Sequence, residues 1–339
     1  MLTKIDDLCT PTFHHWEPNL TAMRFELMKA LPAFFRVKKL LLRNPTIRTI
    51  VETTSGTAGL GLAHACQELG LRLILISDPA IDAELQSRLE ALGAKVIKVD
   101  ARFKTEKGGF QKARLDELNR ILKTEAGSLW TQQYHHEDWK LAYASAAGDL
   151  LASGIEPDIL VAACGSGASG SGVARAIAMV RPIELHMVDT YHSTLFGTPE
   201  GPRDLRGLGN SLIPGNLDYT LVDGVAWINN AAAVAAAYEI NREGLDVGPT
   251  SGATWLTARW LGHRFPTRQV VFICADDGRR YGNTVFNANQ VKAFGEISAR
   301  DYEPRIVNLP SETNGTDRFQ YMSWGRRTLE EVLAAQSKS

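Results

Sequence analysis

Blocks of apolar residues alternate with amphipathic blocks along most of the chain. Buried strands are predicted for the β-branched runs at 46–52, 71–77 and 94–100. The stretch at 82–93 between two of them has charges in its first turn and a glycine at its end, which is typical of a helix. The same alternation returns from about residue 155 to the apolar run at 269–278. Strand–helix–strand order favours parallel sheets with right-handed crossovers, so the pattern predicts an α/β protein built from two such sheets, each flanked by helices.

The two sheet units are predicted to divide near residue 150. We assign residues 37–149 to a small domain, and residues 1–36 together with 150–297 to a large one. Residues 298–339 are polar and irregular, with one helical pattern at 328–336, and are treated as a C-terminal extension. With 339 residues, the chain is long enough for two domains with substantial cores.

Composition and charge exclude several classes of protein. The formal net charge is −1, so no overall field attracts the chain to nucleic acid or to an anionic membrane. The sequence has neither an apolar run of membrane-spanning length nor an apolar signal core at the N-terminus. The four cysteines are scattered without CxxC spacing, which disfavours a disulfide framework or a metal site. These features predict a cytoplasmic protein without membrane or nucleic-acid partners.

A glycine-rich turn, GSGASGSG, follows a predicted strand and precedes a helix. Gly165, Gly167 and Gly170 match the GxGxxG pattern, in which glycines let an anion approach the N–H groups at a helix N-terminus. The next strand ends in Asp189, at a suitable distance for a carboxylate that binds ribose. The turn alone therefore leaves three interpretations open: a phosphate site, a complete nicotinamide dinucleotide site, or close packing of strand on helix.

Two further turns connect a predicted strand or loop to a helix. Residues 53–59, TTSGTAG, are rich in hydroxyl groups and suit a carboxylate or a second phosphate. Residues 248–253, GPTSGA, also fit an ordinary Ser/Thr helix cap. A dinucleotide protein does not need two anion-binding loops. A protein that binds a cofactor phosphate with one loop and a substrate carboxylate with another does need them.

These segments, in this order, resemble the fold-type II pyridoxal-phosphate enzymes of the tryptophan synthase β superfamily, in the cysteine synthase and cystathionine β-synthase branch. The resemblance covers roughly residues 10–290. It is carried by TIVETTSGTAG, RLEALGAKVIKVD, ACGSGASG, GLGNSLIPGNLD, VGPTSGATW and DDGRRYGNT. It implies pyridoxal 5′-phosphate as cofactor, a small amino-acid substrate and a homodimer.

The family carries a lysine that forms a Schiff base with the cofactor, and the matching segment here is ELMKALPA, which contains Lys29. Lys38 and Lys39 are alternatives, but they lie too close to the strand at 46–52 to leave room for the helix expected after the catalytic lysine. The family's Asp-Arg after the lysine is replaced by Ala30-Leu31, and its asparagine in SGNTG is Thr57. These departures point away from ordinary cysteine synthase activity and toward a specialised relative.

The remaining site residues follow from the same resemblance. The cofactor is assigned to Lys29, Thr57, Gly165, Ser166, Gly167, Ala168, Ser169 and Thr250, with Thr250 facing the pyridine nitrogen. The substrate carboxylate is assigned to Thr54, Ser55, Gly56, Thr57 and Gln133, with Gln132 as a register alternative. The large domain would then bind the cofactor phosphate, and the small domain would carry the substrate loop.

The implied reaction is β-replacement or β-elimination on a serine- or cysteine-derived amino acid, through an aminoacrylate intermediate. A cysteine desulfhydrase or a serine/threonine dehydratase is the alternative within the same cofactor class. An NAD-dependent oxidoreductase and a non-catalytic relative that binds an amino acid are the rival hypotheses from other classes.

Overall fold

The computed structural model describes residues 4–54, 56–79, 81–105, 109–203, 205, 207–287 and 302–337. The chain forms two compact units. The first comprises residues 1–10 and 27–142, and the second comprises residues 11–26 and 143–339. Within the described ranges, no helix is both long enough and apolar enough to cross a bilayer.

The first unit contains a four-stranded, fully parallel sheet of order β5-β4-β3-β6. Its strands are β3 (Thr49–Thr53), β4 (Arg72–Ser77), β5 (Ala94–Lys98) and β6 (Ser128–Trp130). Its helices are α1 (Ile5–Cys9), α2 (Ala30–Arg43), α3 (Thr57–Glu68), α4 (Ala83–Ala91), α5 (Gln111–Thr124) and α6 (Asp138–Leu141). Val51, Ile74 and Ile76 pack with Leu118 and Ile121 in the core, as the β-branched runs predict.

The second unit contains an eight-stranded sheet of order β1-β2-β10-β7-β8-β9-β12-β11. Its strands are β1 (Thr12–Glu17), β2 (Leu20–Arg24), β7 (Ile159–Ala163), β8 (Glu184–Asp189), β9 (Val222–Ile228), β10 (Val270–Cys274), β11 (Arg305–Ile306) and β12 (Phe319–Ser323). Its helices are α7 (Tyr143–Ala152), α8 (Ala168–Ala178), α9 (Asn230–Arg242), α10 (Pro249–Arg264) and α11 (Leu329–Gln336). The central strands β2, β10, β7, β8 and β9 are parallel, whereas β1 and β12 pair antiparallel with their neighbours.

The α/β class and the mostly parallel sheets are confirmed. The structure adds strands that the sequence pattern did not predict: the β1–β2 hairpin, β9, and the C-terminal pair β11 and β12. The pattern missed β1 because TFHHWE is half exposed at a sheet edge and lacks a continuous apolar run. Residues 302–337 are accordingly part of the second sheet unit, since β12 pairs with β9 over five residues.

The observed units differ from the predicted domain boundaries at the N-terminal side. Residues 1–10 and 27–36, which we assigned to the large domain, fall in the first unit. The physical reason is that α2 is continuous from Ala30 to Arg43, so a boundary at residue 36 would cut through a helix. On the C-terminal side the chain changes unit between residues 142 and 143.

Candidate active site

Lys29 lies immediately before α2, flanked in sequence by the buried residues Met28 and Ala30. The backbone there is in tight contact with α3. A Cβ added to Gly61 of α3 would lie 2.4 Å from the carbonyl oxygen of Lys29. Such a contact is possible only for glycine, so Gly61 lets α3 fix the start of α2. The sequence signal for this residue was a glycine inside a helical pattern, which we did not interpret.

The other two candidate lysines have different surroundings. The ammonium group of Lys39 pairs with Asp138, a carboxylate that has no exposed surface. Lys38 is exposed, with its ammonium group 5.6 Å from the centre of the Phe34 ring. Both arrangements suit structural roles, and this favours Lys29 among the three.

The hydroxyl-rich turn places its residues at the N-terminus of α3. Gly56 is the residue that precedes the helix, and Thr57 is its first residue. The Thr54 hydroxyl accepts a hydrogen bond from the Gly56 N–H at 3.2 Å, which shapes the turn. Because the first N–H groups of a helix have no partner within it, the turn suits a carboxylate. Ser55 lies outside the described residues.

Gln133 belongs to the same unit and is held beside this turn. Its side-chain Nε2 donates to the carbonyl oxygen of Thr53 at 2.8 Å, and its backbone N–H donates to the carboxylate of Glu52. Only 5% of its surface is exposed. Gln132, the register alternative, has a left-handed backbone with φ of 57°. The structure therefore places Gln133, rather than Gln132, against the end of β3.

Glu52 was missed by the sequence interpretation, although a charged residue within a buried strand was a visible signal. Burial raises the pKa of its carboxyl group, while hydrogen bonds from Thr131, Trp130, Thr53 and Gln133 act in the opposite direction. The side chain is 1% exposed.

Segment 131–139 is fixed to α2 by a buried ion-pair cluster. Arg36 donates to Asp138 at 2.8 Å, and both side chains are almost fully buried. Arg36 also donates through Nε to the carbonyl oxygen of Thr131 at 3.3 Å. Burial alone would raise the pKa of Asp138, but hydrogen bonds from Lys39 and Arg36 lower it below the ordinary value of 3.8.

We expect Asp138→Ala to lower the free energy of unfolding by about 3 kcal/mol, because it leaves the Arg36 guanidinium buried without its partner. Since the folded pKa of Asp138 lies below the unfolded value, this stabilisation is complete above about pH 4 and is lost as the pH falls through the folded pKa. Urea unfolding at pH 7 and pH 3 measures both effects. Asp116→Ala, which removes an exposed ion pair with Lys112, is the control and should change stability by less than about 0.5 kcal/mol. Equal losses in the two variants would contradict the buried-pair interpretation.

The glycine-rich turn of the second unit joins β7 to α8. Gly167 has a left-handed backbone with φ of 72°, and α8 begins at Ala168. Ser166, Ala168 and Ser169 are buried at this helix N-terminus. The sequence pattern predicts residues 165–172 as the turn, whereas the observed helix already begins at Ala168. The first turn of α8 is thus made of small residues, which leave its N–H groups accessible to an anion.

Residues 207–210 line this turn from the other side. A Cβ on Gly165 would lie 2.9 Å from the carbonyl oxygen of Gly207, and the Asn210 side chain donates to the Gly165 carbonyl oxygen at 3.0 Å. The same Gly207 approaches Thr250, since a Cβ there would lie 3.2 Å from Thr250 Cγ2. The structure therefore brings the predicted phosphate residues and Thr250 together within the second unit. The matching segment, GLGNSLIPGNLD, was recognised in the sequence, but no role was given to its residues.

Thr250 is the second residue of α10 and is 5% exposed. Its position at a helix N-terminus, beside the small residues of the phosphate turn, fits a hydroxyl that meets one edge of a bound ring. A turn that only glycine can form, a helix N-terminus and a neighbouring hydroxyl fit the phosphate and ring of pyridoxal phosphate.

Asp189 does not fit the ribose-binding role that the GxGxxG pattern suggested. Its side chain has no exposed surface, and one carboxylate oxygen accepts the Thr190 N–H at 2.8 Å. Burial raises its pKa to about 7. A carboxyl group enclosed in this way cannot reach a ribose hydroxyl.

Two kinds of comparison identify the class of protein. The family model of pyridoxal-phosphate dependent enzymes matches residues 28–276. Cysteine synthase from Entamoeba histolytica superposes with a TM-score of 0.74 at 19% identity, covering 89% of this chain and 96% of that one. The O-acetylserine dependent cystathionine β-synthase from Helicobacter pylori gives a TM-score of 0.74 at 23% identity, covering 84% and 98%. The chain belongs to the pyridoxal-phosphate dependent enzymes and has the fold of their type II members.

Similarity to curated relatives narrows the class of enzyme to one branch of the family. It is 30% identical over 272 residues to N-(2-amino-2-carboxyethyl)-L-glutamate synthase of Ralstonia nicotianae, covering 77% of this chain and 80% of the relative. It is also 30% identical over 240 residues to cysteine synthase B of Campylobacter jejuni, covering 70% and 78%. The chain is thus a pyridoxal-phosphate dependent enzyme of the cysteine synthase and cystathionine β-synthase branch, acting on small amino-acid substrates. The cofactor prediction is confirmed, and the nicotinamide hypothesis is wrong.

Proposed function

We propose that the protein catalyses β-replacement on a serine-derived amino acid, with Lys29 as the residue that binds the cofactor covalently. The observation that carries this proposal is the backbone contact between Gly61 and Lys29. It fixes the start of α2 against α3, the helix whose N-terminus carries the candidate carboxylate turn. A reactive amine and an anion-binding turn are thereby held in one rigid arrangement within the first unit.

Pyridoxal phosphate, when bound, supplies the electron sink for chemistry at the amino-acid carbons. The protein's own groups carry out proton transfer and bind the substrate and the cofactor. The Lys29 amine takes the α-proton from the substrate and can return it. The substrate carboxylate is bound by Gln133 and by the turn residues Thr54, Ser55, Gly56 and Thr57. The turn from Gly165 to Ser169 would hold the cofactor phosphate, and the neutral Thr250 hydroxyl would face the ring nitrogen. Once the α-proton is on Lys29, the Cβ substituent would leave with its electron pair, the second substrate would form the new bond to Cβ, and Lys29 would return a proton to Cα.

The named relatives support two classes of nucleophile. One relative is a cysteine synthase, and the other is an N-(2-amino-2-carboxyethyl)-L-glutamate synthase, whose name describes an amino-carboxyethyl group joined to glutamate. The replacement of the family's Asp-Arg by Ala30-Leu31, and of its asparagine by Thr57, favours a specialised member of the branch. The second substrate therefore attacks Cβ through a sulfur or an amine nucleophile. Experiment distinguishes between these two classes of second substrate.

The test combines the absorbance of the purified enzyme with product analysis. O-acetylserine and O-phosphoserine are each added alone, then with sulfide or with L-glutamate. We expect a change in the visible cofactor band with at least one donor, and a coupled product detected by mass spectrometry when the right acceptor is present. Release of pyruvate and ammonia without any coupled product would show elimination instead of replacement. An unchanged spectrum with every β-substituted donor would contradict the proposal altogether.

We also propose a homodimer in the cytoplasm. The family resemblance supports the dimer, and the scattered cysteines without CxxC spacing support a reducing compartment. Sedimentation velocity of the purified enzyme tests the oligomer.

A further inference from the structure

Glu52 accepts hydrogen bonds on both carboxylate oxygens at the end of β3. Oε1 accepts from the Thr53 N–H at 2.7 Å and from the Trp130 indole N–H at 2.8 Å. Oε2 accepts from the Thr131 hydroxyl at 2.5 Å and from the Gln133 N–H at 3.2 Å. Glu52 therefore joins the last residues of β3 to three residues of a segment about 80 positions further along the chain.

The chemistry of these donors sets a strict requirement on position 52. Three of the four are N–H groups, which can only donate. Both atoms at the end of the side chain must therefore accept. A glutamine amide provides only one acceptor, and its NH₂ group would face the Gln133 N–H, leaving that buried donor without a partner.

The segment that donates three of these hydrogen bonds is under local strain. Gln132 has φ of 57°, a backbone conformation that a non-glycine residue adopts only at a cost. The surrounding contacts hold it there. Glu52 binds the residues on either side of Gln132, and the Thr131 carbonyl oxygen accepts hydrogen bonds from Arg36 and from the Trp139 indole at 3.0 Å.

The result is a defined position for Gln133 relative to the carboxylate turn. Its N–H is fixed by Glu52, and its Nε2 is fixed by the carbonyl oxygen of Thr53, the residue just before Thr54. The candidate carboxylate ligands on both segments are thus held in register by one buried side chain.

We propose that Glu52 is a positioning residue for the amino-acid substrate, because its carboxylate places Gln133 beside the turn at Thr54–Thr57. This inference rests on the proposed function and deepens it. It assigns to Glu52 an effect on the KM of the amino-acid substrate and none on the attachment of the cofactor.

The test is Glu52→Gln in the enzyme loaded with pyridoxal phosphate. We expect the KM for the amino-acid donor to rise about tenfold or more, because the Gln133 N–H loses its acceptor and the segment that contains Gln133 shifts. The value of kcat should fall by less than about threefold, and the visible band of the bound cofactor should keep its position and intensity. Thr131→Val is the matched control, since it removes a hydrogen bond from the same carboxylate and leaves the Gln133 N–H paired. Its KM should stay within about twofold of the wild-type value.

A double-mutant cycle separates positioning from general loss of structure. If Glu52 acts through Gln133, adding Glu52→Gln to Gln133→Leu should raise KM little beyond the larger single effect. Additive effects, or a KM for Glu52→Gln no higher than that of Thr131→Val, would overturn the proposal. If Glu52→Gln fails to fold, Glu52→Asp is tested in its place. Aspartate keeps two acceptor oxygens, but its shorter side chain moves them away from the donors by one methylene group. An unchanged KM in that variant overturns the proposal as well. Failure of the wild-type enzyme to respond to any donor would instead refute the proposed function.

Discussion

Lys29→Ala is expected to lose covalent attachment of pyridoxal phosphate and to reduce turnover by at least about a thousandfold. The reason is that one amine both holds the cofactor and moves the α-proton, and the surroundings of the two lysines in α2 do not suit this role. The ammonium group of Lys39 forms an ion pair with Asp138, and Lys38 lies on the exposed face of α2. Borohydride reduction of the holoenzyme, followed by digestion and mass spectrometry, should place the added mass on the peptide that contains Lys29.

Lys38→Ala is the matched control, since Lys38 lies within α2, the helix that begins directly after Lys29. It should retain the cofactor band and turnover within about twofold of wild type, since it loses only a surface contact with Phe34. Reduced cofactor found on Lys38 or Lys39, or a cofactor band that persists in Lys29→Ala, would show that the lysine is misassigned.

Gly167→Ala is the second variant for which we expect a large effect, on both stability and cofactor affinity. Its backbone has φ of 72°, and an added Cβ would lie 2.5 Å from Cα of Leu217. The strain of a left-handed alanine costs about 1 kcal/mol, and the clash with backbone adds about 1–3 kcal/mol. Relief of that clash would move the turn away from residues 216–218, and the anion site at the start of α8 would change shape. We therefore expect the apparent Kd for pyridoxal phosphate to rise by about tenfold or more.

Gly154→Ala isolates the contribution of the backbone conformation. This glycine has φ of 83°, but among the described residues, its two chain neighbours aside, no heavy atom lies within 4 Å of the position its Cβ would take. The control should lose about 1 kcal/mol of stability and bind the cofactor as wild type does. Thermal unfolding with and without pyridoxal phosphate, together with a fluorescence titration of the apoenzyme, measures both quantities. Equal cofactor affinity in the two variants would contradict the assignment of the 165–169 turn to the phosphate.

The sequence allowed the fold class and the three turns to be predicted because each depends on local chemistry, whereas the cofactor was predicted from the resemblance to a known family. Apolar periodicity predicts strands such as β3 and β4, and a glycine-rich turn after a strand indicates a helix N-terminus that is open to an anion. The order of these turns added what no single turn could supply, since a phosphate turn alone was also compatible with a dinucleotide.

The structural roles that could not be predicted from the sequence depend on contacts between distant residues. Gly61 matters because it meets the backbone of Lys29, and Glu52 matters because its oxygens meet residues 130–133. Neither role can be deduced from the neighbouring residues in the chain. The half-exposed strand β1 and the C-terminal strand β12 are likewise specified by their partners, β2 and β9, rather than by a local run of apolar residues.

The pairing of β2 with β10 has a consequence for synthesis of the protein on the ribosome. Leu20 lies opposite Val270, and the Phe25 N–H donates to the carbonyl oxygen of Cys274, so the β1–β2 hairpin is synthesised long before the strand that pairs with it. Until residue 274 has emerged, the β2 edge that β10 covers stays open. A nascent chain can therefore complete the parallel sheet of β3 to β6 well before the sheet that contains β2.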